Sequence, residues 1–257
     1  MSMLIPDPAV LAFSAAMATA AGMIGAFAVM RQMTLAADAL SHVALPGIGL
    51  ALLFQIQPVA GALAMLCLGT LLIWALHTRT RIATETITGV VFTVALAIGS
   101  FLTTPEELLD ALFGGGGTLP QWELAAGLVS CAAVVVFVLM ARSALIVSLV
   151  SSDIARTSGI AVARLDLAYL MAFALTVALG LRYLGVLLMG ALIIIPAAAA
   201  RRMSRNLGQM LILSVAVSLV ATIAGMLLAA YLGTGTGPMI VSVAGGIFFF
   251  SLLLPQR

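Results

Sequence analysis

The sequence predicts an all-α, polytopic integral membrane protein with eight or nine transmembrane helices in a single domain spanning residues 1–257. Three observations carry that expectation. Hydrophobic residues make up 63% of the chain and charged residues 8%, against roughly 45–50% and 25% in a soluble domain, and one soluble core of this length cannot bury the excess apolar surface. The apolar residues gather in uncharged runs close to the ~20 residues that a helix needs to cross a bilayer. The 11 basic residues, all of them Arg, fall between those runs with a strong bias to one side. A net charge of +2 leaves no basic face able to neutralise a run of phosphates, which excludes nucleic acid as a partner. Cys67 and Cys131 lie inside apolar runs and read as reduced packing residues.

Nine runs follow in order: 9–30, 33–54, 59–76, 86–102, 124–140, 167–181, 183–200, 210–232 and 238–254. The first lacks a basic leader and is too long for the apolar core of a signal peptide, so it is expected to remain as a span. The second carries Asp38 and His42. The sixth is short and almost abuts the seventh, which leaves the count at eight or nine. Short cytoplasmic loops retain Arg. With nine crossings and the N-terminus outside, Arg31, Arg79, Arg81, Arg142, Arg156, Arg164, Arg201, Arg202, Arg205 and Arg257 face the cytoplasm and only Arg182 faces out. Asp7, Glu106, Glu107, Asp110 and Glu123 then lie outside.

Two loops stand out. The outer segment 103–121 holds the acidic, helical-looking PEELLDALF followed by four glycines, and reads as an external cap or docking ledge. The inner segment 142–164 begins with the apolar SALIVSLV and continues as SSDIARTSGI, in which Ser151 or Ser152 can cap a short helix and Gly159 can end it. No linker or soluble domain is visible, so any energy-converting domain is expected on a separate chain.

The strongest local feature is Asp38-Ala-Leu-Ser-His42-Val-Ala-Leu-Pro46-Gly47. A spacing of four puts Asp38 and His42 on one helical face, one turn apart. In a continuous helix His42 would lie roughly 16 Å from Arg31 and roughly 18 Å from Phe54, near the middle of the bilayer. An ionisable group at that depth costs about 2.5 kcal/mol or more unless it meets a partner or water. Pro46 would deprive the His42 carbonyl of its helical hydrogen bond and kink the helix. Carboxylate, imidazole and freed carbonyl are oxygen and nitrogen donors of the kind that suit Mn, Zn or Fe(II). Two side chains are few for a metal site, whereas a two-fold dimer brings four to its axis. A buried hydrogen-bonded pair that only fixes helix packing is the competing reading.

Other features carry less. His77 beside Arg79 and Arg81 reads as a solvated boundary residue, and Glu85 has Arg81 four residues before it as a helical partner. The 14 Met residues are scattered and read as packing. Pro196 is expected to kink the seventh run, and GTGTGP at 233–238 reads as a turn, since it lacks the Gly-Lys-Ser/Thr ending of a phosphate loop.

With FAVMRQMTLAA before it, DALSHVALPGIGLALLF resembles the second-span signature of the permeases of ATP-binding-cassette importers for manganese, zinc and iron. ATETITGVVF, SSDIARTSGI, GVLLMGALIIIPAAAARRMSRN and TGTGPMIV resemble further segments of that family in the same order. The resemblance implies a vitamin-B12-permease-like helical bundle in the cell (inner) membrane, working as a homodimer with a cytosolic ATPase dimer and an external metal-binding protein. It places Asp38 and His42 on the family's Asp-x-x-x-His pair, which contacts the ion, and Ser152, Asp153, Ile154, Ala155, Arg156 and Gly159 in its ATPase-coupling segment. No permanently bound cofactor is implied; the divalent ion is cargo. The Asp–His segment is closer to manganese and iron members and LIIIPAAAARR to zinc members, so the metal stays open. Glu85 stands where members often have Asp. Three rivals compete: a gradient-driven secondary transporter, which would show an inverted repeat; an intramembrane hydrolase, which needs a nucleophile and base or an Asp pair at depth; and a purely structural subunit.

Overall fold

The computed structural model describes residues 8–33, 39–80, 82–103 and 120–253. Among them the elements are all helical: α1 Pro8–Met30, α2 Ala39–Leu53, α3 Pro58–Arg79, α4 Thr84–Leu102, α5 Gln121–Val150, α6 Ser152–Thr157, α7 Val162–Met203, α8 Leu207–Leu232 and α9 Thr236–Leu253. The ends follow local chemistry. Pro58 opens α3 at its first position, where no N–H is needed. Asn206 Oδ1 accepts from Gln209 N at 2.8 Å to cap α8, and Gly233, at φ 67°, ends it. Of GTGTGP, only residues 233–235 form the expected turn; Thr236, Gly237 and Pro238 open α9.

Among the described residues seven helices are long and apolar enough to cross a membrane, the first part of α7 (Val162–Leu181) among them. The chain is a multi-pass membrane protein. α1 is the central post: 67% of its apolar window is buried, against 22% in α4, α5 and α9, whose outer faces are open to lipid or to another chain.

α7 shows how the closely spaced sixth and seventh runs are resolved. Its 42 residues would make a straight rod of about 63 Å, twice the thickness of the hydrocarbon core. Yet Tyr169 Oη donates to the Ile24 carbonyl at 3.0 Å, while the Ile193 carbonyl lies against Gly25, the next residue of α1. Asp166 meets Arg31 and Arg201 meets Val29, so both ends of α7 are at one end of α1. The helix therefore doubles back between Gly180 and Met189, which touch across the bend, and forms two limbs. The second limb is a further apolar arm of the bundle and α2 a shorter apolar helix, so the seven candidate spans among the described residues are approximately consistent with the expected eight or nine. Pro196 lies inside the second limb without ending it.

One expectation is corrected. α5 was expected to end near residue 140 with an apolar loop beyond it, but it runs on to Val150. Thirty helical residues span about 45 Å, so the stretch that begins near exposed Arg142 extends beyond the hydrocarbon as helix. The second run, expected to be helical over 33–54, is helical over Ala39–Leu53 among the described residues, about 22 Å long. The acidic PEELLDALF segment and the four glycines after it, as well as Arg81, lie outside the described residues.

Arg31, Arg142, Arg201 and Arg202 collect at one end. Arg31 meets Asp166 and Ser148, Arg201 reaches Val29, Arg202 donates to the Ser251 and Leu252 carbonyls at 3.0 Å each, and Arg142 lies beside Gly208. The bias to one side expected from sequence is therefore a real face, cytoplasmic by the positive-inside rule. In a variant with Cys67 and Cys131 replaced by Ala, Ser158→Cys, exposed just after α6, is expected to resist a membrane-impermeant maleimide in intact cells and to react fully in inside-out vesicles. Labelling of intact cells would reverse the orientation.

Candidate functional site

His42 ends the first turn of α2. The helix breaks at the next residue, where Val43 N donates to the Leu40 carbonyl at 3.1 Å in a tight turn, and restarts at Ala44. The expected interruption is thus present. Pro46, which has no N–H for the His42 carbonyl, sits in the first turn of the restarted helix, where none is needed.

Glycines hold this broken helix against its neighbours. Gly47 and Gly61 of α3 lie backbone to backbone: a Cβ on Gly47 would press on the Gly61 carbonyl and come within 2.6 Å of Met65 Cβ. A Cβ on Gly69 of α3 would lie 2.6 Å from Val43 Cγ1, and one on Gly99 of α4 would lie 3.1 Å from Leu45 Cβ. The small-residue contacts let α2 sit closer to α3 and α4 than side chains would allow. Ser41 and Val43 are fully buried, while His42 itself is half-buried, its ring edge on Phe92 of α4 with centroids 5.4 Å apart. His42 is therefore a half-buried imidazole at a helix break within the bundle, packed edge-on to Phe92.

Asp38, its expected companion, lies outside the described residues. Among the described residues no three His, Cys, Asp or Glu side chains come together. His77 and Glu85 are both exposed, away from any such group.

The second predicted site is well formed. Ser151 caps α6, its Oγ accepting from Ile154 N at 3.3 Å, and Gly159 follows at φ 80°. Ser152, Asp153, Ile154 and Arg156 are exposed and Ala155 is fully buried, so a single side chain anchors a six-residue helix whose remaining surface is available to a partner. Asp153 and Arg156 are 4.0 Å apart with side chains 89% and 69% exposed, a pair worth little by itself.

One arrangement has no counterpart in the sequence reading, where Arg31 is only an orientation marker and Asp166 has no role. Arg31 Nη1 donates to Asp166 Oδ1 at 2.7 Å, Nη2 donates to Ser148 Oγ at 3.3 Å, and the guanidinium lies 4.7 Å from the Tyr169 ring centroid. No spacing rule links residues 135 apart.

Residues 7–255 match the ABC 3 transport family. The chain is 28% identical over 240 residues to the high-affinity zinc uptake system membrane protein ZnuB of Haemophilus influenzae, covering 91% of this chain and 92% of that one. It is 31% identical over 268 residues to the manganese transport system membrane protein MntC of Bacillus subtilis, covering 96% of this chain and 61% of that one. Among solved structures, PsaBC from Streptococcus pneumoniae in complex with Fab shares the fold, with a TM-score of 0.83 at 24% identity over 96% of this chain and 91% of that one. With nearly the whole length matched and the helical membrane bundle in agreement, this chain belongs to the ABC 3 transport family.

Proposed function

We propose that this protein is the pathway subunit of an ATP-driven importer of a divalent transition-metal ion, Zn, Mn or Fe, in which Asp38 and His42 take over part of the ion's hydration shell. The observation that carries this reading is His42 at the break of α2: a half-buried nitrogen donor, its ring edge on Phe92 and its helix held by the glycine contacts. The relatives named for zinc and manganese transport support the cargo class. The ion is cargo, and the chain holds no resident cofactor; weak binding suits passage, since a tight site would retain the ion.

Two copies of the chain supply two Asp and two His, the four donors that one chain lacks. α4, which carries Phe92 against His42, has an open apolar outer face, with Phe101 89% exposed and Val90 60% exposed, suited to a second copy. A separate ATPase dimer drives the cycle by pressing on Ser152, Asp153, Ile154, Ala155, Arg156 and Gly159, and an external metal-binding protein delivers the ion to the opposite face. The bundle alternates between outward-open and inward-open states. The residues 1–257 act as one permease domain.

The cytoplasmic half is tested by Arg156→Glu. Reversing this exposed charge is expected to leave the chain folded and to lower metal uptake by about tenfold while the ATPase chains continue to hydrolyse ATP. Normal uptake per ATP in that variant would move the contact away from α6.

A further inference from the structure

α6 is suspended between two helices. Motion imposed on it enters the membrane through the last turn of α5, which ends at Val150, and the first turns of α7, which begins at Val162. Arg31 binds both: Ser148 lies in that last turn of α5, and Asp166 and Tyr169 lie in the first two turns of α7. The Trp74 indole N–H of α3 donates to the Ala163 carbonyl at 2.8 Å, so the helix packed on Gly47 is fixed to the same turn of α7.

Arg31 is placed to pass such motion on. It directly follows α1, whose end is closed by Arg31 N to Phe27 O at 2.9 Å and Met33 N to Ala28 O at 2.9 Å, with Gln32 in the left-handed region at φ 58°. Seven residues later in the sequence comes Asp38, and four after that His42. Tyr169, under the Arg31 guanidinium, also lines a small apolar void with Met33 and Leu40, two residues before His42. The Arg31 side chain is 11% exposed and that of Asp166 31%, and a partly buried, charge-assisted bond of this kind is stronger and more directional than a surface pair.

Resting on the importer reading above, we infer that Arg31 is a positioning residue for coupling: it clasps the two flanks of α6 at the end of α1 and, through the Tyr169 ring packed toward Leu40, ties them to the start of α2, which carries His42. The clasp makes movement of α6 and movement of the ion-contacting segment one event.

The test uses the permease assembled with its ATPase partners in proteoliposomes, with ions imported per ATP hydrolysed as the readout and thermal stability of the assembled complex measured beside it. Arg31→Gln and Asp166→Asn are each expected to lower that ratio by about tenfold or more, and the double variant by no more than Arg31→Gln alone, because the bond that Asp166→Asn breaks is already lost in it. Arg31→Lys, which keeps the charge on Asp166 but not the fork to Ser148, is expected to recover part of the ratio. Ser148→Ala, a mild change, is expected to lower it by about threefold, which keeps the test decisive should the Asp166 variant fail to assemble. Lowered thermal stability with an unchanged ratio in Arg31→Gln and Ser148→Ala would overturn the inference and leave a plain structural tie. Absence of ATP-dependent metal uptake by the unaltered complex would instead overturn the importer reading.

Discussion

Replacement of His42 by alanine is expected to bring metal uptake down to background, a loss of at least about 100-fold, while the permease still inserts and assembles with its partners. The expectation rests on position and chemistry together. The ring sits at the break of α2, half-buried, with its edge on Phe92, and among the described residues no cluster of other metal-binding side chains can replace it. Altering even a residue that only supports a metal ligand commonly costs about 10–100-fold, so removing the donor itself costs more. Folding should survive, because α2 is held by Gly47, Val43 and Leu45 against α3 and α4 and not by the imidazole. Uptake of radiolabelled metal measured against the amount of assembled complex checks this, and unchanged uptake would remove His42 from the pathway.

Gly47→Val is expected to have the other large effect, at the level of the fold. Its Cβ would press on the Gly61 carbonyl, lie 2.8 Å from the Gly61 carbonyl carbon and 2.6 Å from Met65 Cβ, and meet backbone that cannot rotate away. Overpacking of this kind typically costs up to about 3 kcal/mol, and here it would also push α2 off α3 and take His42 with it. The expected result is a fall in the yield of detergent-stable protein together with loss of uptake in what remains. Gly245→Ala in α9, where an added Cβ meets nothing within 4 Å, is the matched control and is expected to change neither.

Much of this was legible in the sequence for a simple reason: lipid rewards unbroken apolar runs, so helix existence follows from composition alone. α1, α3, α4, α8 and α9 begin and end within a few residues of the runs that predict them. The break beside His42 was legible because proline chemistry is local, and the Ser151 cap and Gly159 turn of α6 for the same reason. What composition does not encode is where the hydrocarbon ends along a long helix, hence the extension of α5 to Val150. The reversal within α7 is a matter of tertiary contact: Tyr169 and Ile193 meeting neighbouring residues of α1, with Gly180 against Met189, reveal it. The Arg31–Asp166 bond is of the same kind. Asp166 lies four residues after the start of α7 and two after Arg164, with no periodic signal to distinguish it from any other acid near a helix start.

The account comes down to whether ATP hydrolysed by separate chains moves a divalent ion through this bundle. The most direct measurement is uptake of zinc, manganese or iron(II) by proteoliposomes that contain the permease and its ATPase partners, with the external metal-binding protein supplied, in the presence and absence of ATP and with no ion gradient imposed. The account predicts accumulation of at least one of the three metals that requires ATP, stops when the ATPase chains are omitted, and is lost in His42→Ala. Accumulation driven by a proton or ion gradient with the ATPase chains absent would contradict it.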